Sequence, residues 1–66
     1  MRLTINGETR DGLNAVTVKE LLEELQIQAG RVAVEVNLTV VRKAEYGTFP
    51  IHDGDVIEIV NFVAGG

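Results

Sequence analysis

The residues best suited to chemistry in this chain are its last two. Gly65-Gly66 follow Val63-Ala64 at the end of the 66-residue sequence, an arrangement expected to carry an α-carboxylate on a thin, mobile stalk. Glycine has no Cβ and samples positive φ freely, so such an end can thread a narrow enzyme channel that other residues would obstruct. The α-carboxyl group has a reference pKa of about 3.3 to 3.7 and is ionised at neutral pH. It can attack an electrophile through oxygen, yet it resists attack at its own carbon until it is activated. The competing reading is a frayed tail without a role.

No other group of residues makes a comparable case. His52 is the single histidine, precedes a turn, and has neither a cysteine nor a second histidine with which to build a metal site, so it reads as a solvated loop residue. The pair Glu23-Glu24 reads as the wet face of a helix. Asp53 and Asp55 flank Gly54, and turn chemistry accounts for both. With no acid-base pair and no activated nucleophile, the chain is expected to be a client or carrier, not an enzyme, without catalytic side chains, bound cofactor or metal.

Composition agrees with a carrier. A chain of 66 residues makes one domain that buries only about 60% of the surface its unfolded form exposes. Such a core can hardly spare apolar side chains to line a reaction pocket. Ten acidic against six basic residues give a net charge of -4, which repels phosphate backbones, so nucleic acid is not an expected partner. The absence of cysteine removes disulfides and thiolate chemistry together, leaving packing alone to hold the fold. Apolar runs reach three residues, as in Phe62-Val63-Ala64, and Met1 enters an alternating pattern at once. Neither a membrane span nor a signal peptide is therefore expected, and a cytoplasmic location is.

The elements that must carry the tail are written in local patterns. Met1, Leu3 and Ile5 alternate with polar residues, and Asn6-Gly7 supplies the positive φ angles of a two-residue hairpin turn. The return strand Glu8 to Arg10 lacks a large apolar residue and is expected at an edge, ended by Asp11-Gly12. Thr17-Val18-Lys19-Glu20 fits a capping box: the threonine oxygen accepts from the Glu20 amide, and the glutamate reaches back to the threonine amide. Val16 and Leu21 sit at the hydrophobic-staple positions. Val18, Leu21, Leu22 and Leu25 form one apolar stripe, with Lys19, Glu23 and Glu24 facing water. The helix should fade after Leu25, with Ile27 under its exit and Ala29-Gly30 turning the chain.

Val32, Val34 and Val36 alternate into a β-branched strand with one dry face. A second hairpin is expected at Asn37-Leu38, where leucine suits positive φ poorly, so this turn should be looser than the first. Leu38 to Arg42 returns as strand. Arg42 to Ile51 has no period and reads as a loop with one helical turn near Lys43 to Tyr46. After Asp53-Gly54 the last strand places Ile57 and Ile59 on one face and Val56, Glu58, Val60 and Phe62 on the other. Because Glu58 marks its face as wet, Val60 and Phe62 are expected to be partly exposed and, with Val63, to dock a partner. The alternative for Phe62 is that it folds back over the sheet edge as core.

Two strands, a helix and further strands ending in a diglycine resemble the β-grasp, or ubiquitin-like, order. That resemblance implies an α+β fold: a mixed sheet of four to five strands, the first and last parallel at its centre, with one helix across one face. The segments Val32-Ala33-Val34-Glu35-Val36-Asn37 and Asp53 through Gly66 are similar to the ThiS family, the sulfur carriers of thiamine biosynthesis. The family often has three terminal glycines and an Asn-Gly second hairpin, where this chain has Ala64 and Leu38. The Ala-Gly-Gly end also resembles the molybdopterin synthase small subunit, which tends to be longer with prolines before the tail; Asn61-Phe62 favours the thiamine family.

The resemblance implies a domain over 1–63 and a flexible tail over 64–66, with Ala64, Gly65 and Gly66 threading a partner's active site. It implies that a ThiF-like enzyme adenylates Gly66 using ATP and magnesium, and that a persulfide donor then converts it to a thiocarboxylate. A ThiG-like thiazole synthase would receive the sulfur. Four extended residues from Val63 reach roughly 13 Å, enough to carry a carboxylate from a docked body into a buried site. Two alternatives stay open: a protein modifier that joins Gly66 to a target lysine, and a non-covalent β-grasp binding module with an idle tail.

Overall fold

The first and last strands of the chain lie side by side, and everything else is arranged around that pair. The computed structural model describes residues 1–62. Within them β1 (Leu3–Ile5), β2 (Glu8–Arg10), α1 (Val18–Glu24), β3 (Val32–Val36), β4 (Thr39–Val41) and β5 (Val56–Asn61) follow in order. The five strands form one sheet in the order β2-β1-β5-β3-β4. β1 pairs with β5 in parallel, and the remaining pairs are antiparallel. A mixed sheet with parallel first and last strands, crossed by one helix, is the β-grasp arrangement.

Leu3, Leu21, Leu22 and Ile57 are among the largest fully buried side chains, and Val18, Val32 and Val34 join them. Each such side chain stabilises the fold by about 1.5–3 kcal/mol on burial. The helix stripe is the expected one, with Val18, Leu21 and Leu22 buried and Leu25 packed at its margin.

At seven residues α1 is too short to persist alone, so its ends and packing must hold it. The Thr17 hydroxyl accepts from the Glu20 amide at 3.2 Å, as the capping box requires. Glu20, however, reaches one residue further back than expected and accepts from the Val16 amide at 3.0 Å. Val16 is 60% exposed, so the expected staple with Leu21 does not close. The segment 46–51 lies alongside this end instead: Val18 and Lys19 donate to the carbonyls of Phe49 and Tyr46, and Ile51 donates back to Val16. Tertiary partners thus take over what a local box would have done.

The helix exit is a Schellman turn. Ile27 donates to Leu22 and Gln26 to Glu23, with Gln26 at φ 60°, a place usually given to glycine.

Both hairpins close in two residues. Asn6 and Gly7 have φ of 51° and 82°, and Asn37 and Leu38 have 50° and 71°, so the second turn is as tight as the first and not looser. Leu38 accepts the left-handed conformation while 89% exposed. β4 is also shorter than the expected return strand, spanning Thr39–Val41. In the segment without period, the helical turn appears as a 3₁₀ turn over Lys43–Glu45. That segment also delivers two core residues, Tyr46 and Ile51.

Candidate functional site

β5 lies between β1 and β3, so the segment that leads into residues 63–66 is hydrogen-bonded on both sides. Two asparagines fix its placement. Asn6 in the first turn donates through Nδ2 to the Ile59 carbonyl at 3.0 Å and accepts from the Ile59 amide at 2.7 Å. Asn37 in the second turn accepts from the Val56 amide at 2.9 Å, and its own amide donates to the Val56 carbonyl at 2.7 Å. The Asn6 side chain imitates a strand neighbour with both its amide groups, and Asn37 does so with its side-chain oxygen and its backbone N–H, so β5 is held in register at the ends of β1 and β3.

The turn before β5 is equally constrained. Asp53 accepts from the Arg2 amide at 2.7 Å. Asp55 accepts from the His52 amide at 2.7 Å and from Asn37 Nδ2 at 2.9 Å. Both aspartates therefore have structural partners. His52 is exposed, and no group of three or more potential metal ligands occurs among the described residues.

At the far end of β5, Ile57 and Ile59 face the helix while Val56, Glu58 and Val60 face outward. Val60 is 58% exposed and Phe62 42% exposed, which matches the expected alternation. Phe62 is neither free nor core: its amide donates to the Arg31 carbonyl at 3.1 Å, and Lys43 Nζ stands 4.7 Å from its ring centroid. The same ammonium donates to the Gly30 carbonyl at 2.9 Å, so one cation binds the ring to the β3 approach. The expected docking residue Val63 and the expected threading and modified residues Ala64, Gly65 and Gly66 lie outside the described residues.

Glu24 carries a role that sequence patterning missed. Its carboxylate accepts from the Asn14 and Ala15 amides at 3.0 to 3.1 Å, tying the β2–α1 connection to the helix. Arg2 and Asp11 form an exposed ion pair at 2.9 Å. Their hydrogen bond raises the guanidinium and lowers the carboxyl from their ordinary values. Tyr46 donates through its hydroxyl to the Val32 carbonyl at 3.0 Å, and burial pushes its phenol up.

What the geometry offers is a rigid central strand, an apolar and acidic outer face, and an outlet at Phe62. The sequence model of the ThiS family matches residues 3–66. The chain belongs to the ThiS family. It is 40% identical over 62 residues to the sulfur carrier protein ThiS of Thermus thermophilus, covering 94% of this chain and 95% of that one. The crystal structure of the thiamine biosynthesis protein ThiS from Geobacter metallireducens superposes with a TM-score of 0.85 at 36% identity, with all of both chains covered. A thiazole synthase of Paramagnetospirillum magneticum is 47% identical over 66 residues, which is all of this chain and 20% of that one. The chain spans about a fifth of the length of the thiazole synthases it resembles.

Among ThiS-family features, the described residues hold the body and its outlet. No helix among them is long and apolar enough to cross a membrane.

Proposed function

We propose that this ThiS-family chain carries sulfur into thiazole formation in thiamine biosynthesis as a thiocarboxylate at Gly66. The observation that carries the reading is the family match over residues 3–66, because it runs through the fold and includes Gly65-Gly66. The body supports it by what it contains: a central strand directed at the outlet, exposed Val60 and Phe62 beside it, and side-chain carboxylates whose partners are structural wherever they have any.

The chemistry falls to the partners. A Gly66 carboxylate oxygen attacks the α-phosphorus of ATP on a ThiF-like enzyme, the bond to pyrophosphate breaks, and an acyl adenylate forms; magnesium is used by that enzyme. The terminal sulfur of a persulfide donor then attacks the carbonyl carbon and AMP departs, leaving an acyl disulfide; a second thiol attacks the donor-side sulfur, the S–S bond breaks, a disulfide forms, and the thiocarboxylate is released. Val60, Phe62 and Val63 dock the body while Ala64, Gly65 and Gly66 thread the channel. The chain is consumed and regenerated as a cosubstrate and contributes no catalytic side chain. The sulfur passes to a thiazole synthase, and the similarity to thiazole synthases in which a segment like this chain makes up a fifth of the length supports that partner.

The test is an intact-mass measurement of the protein from cells and after incubation with ATP, a ThiF-like enzyme and a persulfide donor. The expected result is exchange of one oxygen for sulfur, mapped to Gly66. Ladders of conjugates on other proteins, or a function retained after removal of Gly65-Gly66, would overturn it.

A further inference from the structure

We propose that the outer face of the sheet is a docking surface for a protein that presents a basic side chain, arginine above all, from within an apolar surround, and that Glu35 and Glu58 receive it together. The inference rests on the carrier reading and deepens it by naming the chemistry of the partner's surface.

In the antiparallel β3–β5 pair, Glu35 stands directly opposite Glu58, and Ala33 opposite Val60. On its other side Glu35 stands opposite Val40 of β4. Directly opposed residues share a face, so these side chains lie together on the side of the sheet away from α1. One shallow hollow is lined by Glu35, Asn37, Leu38, Val56 and Glu58, and a second by Ala33, Val40 and Val60 around the same two glutamates. The acids occupy the middle, with exposed Leu38 and Val56 at one end and Val40 and Val60 at the other.

Like charges placed directly opposite one another weaken a strand pair. Among the described residues Arg2 pairs with Asp11, and His52 Nδ1 stands 4.0 Å from Asp55; neither glutamate takes part in either contact. Nothing within the described body rewards this placement. A cation between the two carboxylates reverses its sign. Guanidinium is the best fit, because its planar fork can donate to two carboxylates at once and it is weakly hydrated enough to sit among apolar side chains. A charge at the centre with apolar contacts excluding water around it is also the usual layout of an interface anchor. A second copy is a poor occupant, since a two-fold contact would set the same glutamates against one another. Nucleic acid and anionic surfaces are repelled for the same reason.

The test is ATP–pyrophosphate exchange with a purified ThiF-like adenylating enzyme, comparing the wild-type chain with Glu35→Gln, Glu58→Gln and the double variant. The double variant is expected to raise the KM for the carrier about tenfold or more, the scale of lost charge-assisted hydrogen bonds, with kcat within about twofold at saturating carrier. Its melting temperature should be unchanged or higher, because the repulsion is gone. Glu58→Lys should raise KM further, and the salt dependence of the wild-type KM should be lost in the double variant. An unchanged KM in the double variant beside robust wild-type exchange overturns the docking assignment alone. A wild-type dimer in sedimentation equilibrium that Val40→Asp dissociates also overturns it. No exchange with the wild-type chain overturns the carrier reading itself.

Discussion

Leu38 stands in a left-handed conformation that glycine fills without strain, and it is almost wholly exposed. A bulky side chain there costs about 1–2 kcal/mol and returns little to the isolated fold, whereas it extends the apolar rim beside Glu35 and Glu58. Leu38→Gly is therefore expected to stabilise the chain by up to about 1 kcal/mol in urea denaturation, after the entropy glycine adds to the unfolded state, while weakening capture by the adenylating enzyme. Lower stability would mean that the side chain supports the body after all. Tyr46 gives a pH-dependent counterpart. Burial raises its phenol above the ordinary value of 10.0, so the folded state favours the protonated form. The stability this contributes is complete below pH 10 and is lost as pH rises through the folded value. Tyr46→Phe should lose about 1 kcal/mol at neutral pH, the worth of one hydrogen bond, and should show a flatter alkaline unfolding limb than the wild type. At this scale the sequence exposed Leu38 as an awkward turn residue, because turn chemistry is local. It could not expose Glu24, whose partners Asn14 and Ala15 are amides of a connection that comes alongside only once the helix has packed.

Among the elements, those with a local code were legible and those built by tertiary contact were not. Asn6-Gly7, the apolar stripe of α1 and the alternating valines of β3 each announce themselves within a few residues, and each appears in place. The segment from Arg42 to Ile51 announces only its helical turn, because Tyr46 and Ile51 reach the core from a path without a repeat. That same segment takes over much of the helix start, which is why the capping box is displaced by one residue at Glu20 and the staple at Val16 stays open. The register of β5 depends on Asn6 more than any strand pattern would suggest. Asn6→Ala removes two hydrogen bonds to Ile59 and leaves that strand's amide and carbonyl short of partners. The expected loss is about 2 kcal/mol, read by thermal melting. Faster amide exchange should appear at Ile59 before it appears at Ile57, which lies within the β1–β5 pairing. Uniform exchange along β5 would argue against a clamp.

For the molecule as a whole, the parallel pairing of β1 and β5 is the fact no periodicity could supply, because alternation identifies a strand but not its neighbour. The β-grasp resemblance implied it, and the sheet order bears it out. Its consequence is a division of labour along the chain. Among the described residues, every buried apolar residue of the core lies between Leu3 and Ile59, whereas the carboxylate proposed to react belongs to Gly66, the last residue of the sequence. Stability and activity should therefore separate cleanly. Deleting Gly65-Gly66 is expected to leave the melting temperature within about 3 °C of the wild type, the range of a surface change in a domain this small, while abolishing thiocarboxylate formation. The reciprocal variant is Leu22→Ala, which should cost about 2–5 kcal/mol and lower activation only as far as it lowers the folded fraction. A truncated chain that melts far below the wild type would place the last two residues in the structural core. A truncated chain that still acquires sulfur would move the reactive group elsewhere.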